Sequence, residues 1–95
     1  MATQLRRYTV ADEAGLDRLS EWFPKIVEVR KGFGFTVDFA YADKENLQFV
    51  WATSHPGDFE ASLATYNDSP ERAAAFEGFE SPVTNMVVAM VDQVV

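Results

Sequence analysis

The last twelve residues constrain this chain more than any other stretch. In TNMVVAMVDQVV, Thr84 to Val95, Met86, Val88 and Met90 alternate with Val87, Ala89 and Val91, so an extended segment here is apolar on both faces. Such a strand needs cover on two sides. A chain of 95 residues buries roughly 60 to 65% of the surface its unfolded form exposes, which leaves little material for a second covering layer.

The rest of the pattern supplies one layer of cover. Leu5 to Val10 carries the β-formers Tyr8, Thr9 and Val10 and stops at the turn-like ADEAG, which predicts a first strand. The period then changes: Leu16, Leu19, Phe23, Ile26 and Val27, with Arg30 beyond, follow helical spacing. Asp17, Arg18, Glu21, Lys25, Glu28 and Lys31 largely take the other side. Pro24 falls inside this pattern, where it removes a backbone hydrogen bond and crowds the carbonyl of Ser20, so a kink or restart is expected. Gly32 is expected to supply the left-handed residue that ends the helix, with Phe33 folding back on it.

FTVDFAYADKENLQFVWAT reads as a β-hairpin joined by the polar ADKEN. Phe35, Val37, Phe39 and Tyr41 are expected on one face of its first arm, and Leu47, Phe49 and Trp51 on one face of its second. SHPGD breaks the strand, and Asp58 is the N-cap for a helical stripe of Phe59, Leu63 and Tyr66. Ser69 caps a restart with Pro70 at the first helical position, so the sequon Asn67, Asp68, Ser69 is a turn and cap rather than a glycosylation acceptor. EGFESP then leads into the closing strand.

The order β, α, β, β, α, β predicts an α+β domain over residues 1–95: a four-stranded antiparallel sheet with both helices on one face. Nothing in the chain remains to cover the other face. Either two copies pack sheet to sheet as a homodimer, or Val87, Ala89 and Val91 are small enough to stand half exposed at an edge.

Eight basic against fifteen acidic residues give a net charge of −7, which argues against nucleic acid and anionic membrane surfaces as partners. The absence of cysteine removes disulfides and thiolate chemistry, and no apolar run is long enough for export or membrane spanning, so a cytoplasmic location is expected. One histidine and scattered carboxylates make no metal site, and GFG at Gly32 to Gly34 lies after a helix, not before one, so no phosphate loop or cofactor is expected.

Five residues are candidates for chemistry. His55, in TSHPGD, is either a proton carrier at a strand end or a solvated loop histidine. Asp38 is either a base of raised pKa in a water-poor cavity, or it pairs with Arg6, Arg7 or Arg30 or stands exposed at an edge. Tyr8, Tyr41 and Trp51 combine apolar area with a polar tip, as pocket walls do, or they are simply core.

LRRYTV in the first strand, the amphipathic helix with Trp22 and Pro24, and LQFVWATSHPGDFEASLATYNDSPERAAAF resemble NIPSNAP-type proteins of the dimeric α+β barrel superfamily. The resemblance runs from about Leu5 to Val91, with Phe76 where the family tends to have Trp. It implies a ferredoxin-like subunit whose sheet pairs with a second copy. Haem-degrading relatives carry an Asn in the first strand and a Trp and His in the second helical region, and none of these is present. Three functions are open: a homodimeric protein binding a small apolar or aromatic ligand, a cofactor-free monooxygenase or isomerase for a small aromatic or polyketide-like compound, or pure assembly, in which the dimer is the function. In the second, His55 with Tyr41 or Asp38 would move protons.

Overall fold

A computed structural model describes residues 1–95. Strand β1 (Ala2–Val10) is followed by α1 (Glu13–Gly32), β2 (Thr36–Asp43), β3 (Gln48–His55), α2 (Phe59–Asn67), α3 (Pro70–Phe76) and β4 (Val83–Val91). The antiparallel sheet has the order β2-β3-β1-β4, the split βαβ arrangement expected from the pattern.

Local chemistry places the helix ends. The Asp12 carboxylate accepts from the Gly15 N–H at 2.7 Å and starts α1. The helix runs for 20 residues without a restart at Pro24, whose ring stays on the exposed side. Its end differs from expectation. The left-handed residue is Gly34, at φ +87°, and Gly32 still belongs to the helix. The Gly34 N–H donates to the Lys31 carbonyl at 3.1 Å and the Phe35 N–H to the Arg30 carbonyl at 3.1 Å, the paired bonds of a Schellman cap. Asp58 and Ser69 cap α2 and α3 by accepting from the N–H groups of Ala61 and Arg72.

The two sheet faces follow from the register. Gln4, Arg6 and Tyr8 lie opposite Thr53, Trp51 and Phe49 on one side and Met90, Val88 and Met86 on the other, and this face carries the helices. Leu16, Leu19, Phe23 and Ile26 of α1 pack onto Tyr8, Val10, Phe49 and Trp51, while Phe35, Phe59 and Tyr66 make a smaller cluster.

Two expectations about faces fail. The register of β2 slips between Val37 and Phe39, a bulge at Asp38. One extra residue reverses every later side chain. Val37 therefore packs with the helices, whereas Phe39 and Tyr41 lie opposite Ala52 and Val50 on the open face. The helices also cover β4 only in part: Val83 packs against the core cluster, but the strand beyond it is open. Met86 and Val88 on the helix side are 49% and 42% exposed, and Val87 on the other side is 56% exposed.

The corrected helix end is testable by paired substitutions. A Cβ on Gly34 would meet His55 Nε2 at 2.7 Å in a left-handed backbone, whereas one on Gly32 meets nothing within 4 Å. Gly34→Ala should lower unfolding free energy by about 2 kcal/mol or more, and Gly32→Ala should leave it unchanged or raise it by up to ~1 kcal/mol, as read by urea denaturation.

Candidate functional site

Four residues past Ile26 on the core side of α1 stands Arg30, only 3% exposed. Its guanidinium carbon lies 5.2 Å from the Phe35 ring centroid, 4.8 Å from that of Trp51 and 4.5 Å from that of Tyr66. These ring faces attract a cation. They offer poor acceptors for N–H groups, however, and Arg30 Nε and Nη1 have no hydrogen-bond partner; nor has Nε1 of the buried Trp51. Burial pushes the Arg30 guanidinium below its ordinary pKa, with Tyr66 opposing that and the charge of Arg6 adding to it.

Two more arginines flank the first. Arg6 donates from Nε to Gln4 Oε1 at 2.9 Å and from Nη1 to the Tyr8 hydroxyl at 3.0 Å, with its guanidinium 5.5 Å from the Trp51 ring centroid. The Arg72 guanidinium lies 4.2 Å from the Phe76 ring and 5.7 Å from the Tyr66 ring. None of the three has a carboxylate partner; the ion pairs of the chain are Lys31 with Glu28 and Lys44 with Glu13.

These side chains line a cavity of about 150 Å³ between the helix face of β1 and β3 and the helices α1 and α3. Phe23, Phe76 and Phe79 supply apolar wall, and no Asp or Glu reaches the lining. Trp22 fastens its cover: Nε1 donates to the Ala75 carbonyl at 2.8 Å, and the indole stacks on Phe79 with centroids 4.0 Å apart and planes 6° from parallel.

The residues singled out from sequence divide between this cavity and other places. Tyr8 and Trp51 line it, edge to face at 6.3 Å. Tyr41 stands on the open face, 69% exposed, with its ring 5.6 Å from Phe39. Asp38 is exposed at the bulge and accepts from the Ser54 hydroxyl at 3.1 Å. His55 sits at the end of β3, where Nε2 meets the Phe33 carbonyl at 3.0 Å and Nδ1 accepts from the Gly57 N–H at 2.9 Å. The tautomer carrying its hydrogen on Nε2 satisfies both bonds. His55, Asp38 and Tyr41 are thus outside the cavity lining.

The cavity residues that sequence reasoning passed over are Arg6, Arg30, Arg72 and Tyr66. Two of them carried a signal: Arg6 alternates with Tyr8 on one strand face, and Arg30 continues the apolar stripe of α1. Elsewhere, no three His, Cys, Asp or Glu side chains cluster to hold a metal, and no helix is long and apolar enough to cross a membrane.

The whole arrangement has counterparts among solved structures. A NIPSNAP domain protein from Burkholderia xenovorans superposes with a TM-score of 0.78 at 9% identity, covering 99% of this chain and 95% of that one. A NIPSNAP-like domain protein from the same organism gives 0.77 at 14% identity, over 98% and 84%. An antibiotic biosynthesis monooxygenase gives 0.72 at 14% identity, over 99% of both chains. The fold is ferredoxin-like. By sequence, no family model matches the chain, and no curated protein does. Identities this low carry the fold and not the reaction.

The His55 bonds bear on stability. His55→Ala removes two hydrogen bonds and a ring edge 4.8 Å from Phe35, so a loss of about 1–3 kcal/mol is expected in urea unfolding, against less than about 0.5 kcal/mol for Asp38→Ala.

Proposed function

We propose that this protein is a cytoplasmic homodimer that binds a small apolar or aromatic molecule in the cavity between its helices and its sheet. The observation that carries the reading is the cavity itself: about 150 Å³, walled by Phe23, Phe76, Phe79 and Trp51. A cavity of this size has space for one aromatic ring. Binding is favoured over catalysis because the groups that would move protons in an enzyme, His55, Asp38 and Tyr41, are placed elsewhere, and both ring nitrogens of His55 are already engaged.

The homodimer is supported by the open face. Phe39, Tyr41, Val87 and Val91 stand exposed there, around Leu5, Val50 and Ala89. Apolar surface of this kind, on a sheet with no second layer, is what a two-fold partner buries. The likeness to NIPSNAP and monooxygenase structures agrees with both parts of the proposal without deciding either.

Each part has its own measurement. Single-ring aromatics such as toluene and benzamide should raise the melting temperature, and Met86→Trp, at the half-exposed rim of the cavity, should abolish that rise. No shift with any ring compound would remove the binding reading. Light scattering should give twice the monomer mass, and Val87→Lys on the open face should reduce it to one. A parent chain that stays monomeric would remove the dimer.

A further inference from the structure

We propose that the molecule held in this cavity is a small organic monoanion: a carboxylate carrying one ring-sized apolar body. The inference rests on the cavity being a binding site and adds the charge and class of what it binds.

The lining carries the argument. Three of the eight basic residues, Arg6, Arg30 and Arg72, converge on one cavity, and none of the fifteen acidic residues lines it. Arg6 and Arg30 both lie within 5.5 Å of the Trp51 ring centroid, and Arg30 and Arg72 within 5.7 Å of that of Tyr66. Like charges gathered in a water-poor space repel, and a hydrophobic interior selects against them unless a counter-charge enters.

Hydrogen bonding points the same way. Arg30 and Trp51 are 3% and 2% exposed, and Arg30 Nε, Arg30 Nη1 and Trp51 Nε1 donate to nothing in the chain; these atoms are closed off behind the cavity wall, so a ligand reaches them only as the side chains shift. All three are donors only. Nε and Nη1 lie on different edges of the guanidinium, so each could give one charge-assisted bond, of the kind roughly twice as strong as a neutral one, to an anionic oxygen. The lowered pKa of Arg30 is consistent with a cation that lacks its counter-charge.

The remaining wall sets the body of the ligand. Phe23, Phe76 and Phe79 provide apolar surface, and a cavity of about 150 Å³ leaves space for a single ring beside the carboxylate. A heavily hydrated inorganic dianion would lose its water against such a wall without replacement.

The test is a titration of the full chain at constant ionic strength with benzoate, benzamide, toluene and inorganic phosphate. It is read by fluorescence, since Trp22 and Trp51 both line the cavity, and by melting temperature. Benzoate should saturate and bind at least about tenfold more tightly than benzamide. Arg6→Gln and Arg72→Gln, at half-buried positions, should each weaken benzoate by about tenfold and benzamide by much less, while Lys25→Gln on the exposed side of α1 should change neither. Arg30→Met should lose benzoate binding yet melt at the same temperature or higher, because a buried charge gives way to an apolar side chain of similar length. Should Arg30→Met fail to fold, the Arg6 and Arg72 variants decide the matter.

Benzamide or toluene binding as tightly as benzoate would overturn the anion and leave the cavity as a site. Phosphate binding more tightly than benzoate would overturn the carboxylate. Benzoate binding unaffected by Arg6→Gln and Arg72→Gln would place it outside the cavity. Saturation by none of the four below about 10 mM would remove the anion and the binding site together.

Discussion

A guanidinium without a counter-ion lies at the junction of α1, β2, β3 and α2, and the surrounding structure is organised about it. The Arg30 carbonyl receives the N–H groups of Phe33 and Phe35 at 3.0 and 3.1 Å, so a residue whose backbone anchors the cap of α1 also contributes its side chain to the interior. The Schellman turn brings Phe35 beneath that side chain, with Trp51 from β3 and Tyr66 from α2 completing the enclosure. Removing such a charge from water costs several kcal/mol, and ring contacts worth about 0.5 to 2 kcal/mol each offset only part of it. An arrangement that is poor for stability and well defined in geometry has the character of a functional site.

Most of the element order was legible because it depends on local chemistry. Asp58, Ser69 and Pro70 act as caps and first helical residue because the short side-chain oxygens and the missing N–H suit those positions whatever lies around them. The facing of β2 was not legible. The bulge at Asp38 is a property of pairing with β3, and no residue near it announces that Phe39 and Tyr41 turn away from Val37. Gly32 and Gly34 posed a similar ambiguity. Both suit a helix end, and the choice was made by tertiary contact, since only Gly34 must lie against His55.

The candidate site was legible in part, for a related reason. Tyr8 and Trp51 attract notice as amphipathic aromatics, and they do line the cavity. Arg30 continues the apolar stripe of α1 by helical period, but the period alone does not say that its guanidinium is enclosed by the rings of Phe35, Trp51 and Tyr66. Arg72 stands in the SPER stretch that carried the family resemblance, but nothing there indicates a cavity: its approach to Phe76 and Tyr66 depends on where α3 docks against α1. His55 attracted attention through its ordinary acid–base range. In the folded chain it is instead a clasp between the end of β3, the α1 cap and the following loop.

On the proposed reading, the distribution of charge would add selectivity to the cavity. With the three lining arginines set apart, the rest of the chain has five basic and fifteen acidic residues, so an approaching anion meets a repulsive exterior before it meets an attractive interior. Exterior repulsion is screened over roughly 10 Å at moderate salt and grows in proportion to the ligand's charge. The interior term acts at short range in a low dielectric and requires the ligand to surrender its water. Desolvation of an ion rises steeply with its charge, approximately as the square, whereas attraction to a fixed set of arginines rises only linearly. Both considerations favour a singly charged ligand with much of its surface apolar, for which the aromatic wall compensates what the water shell gave up.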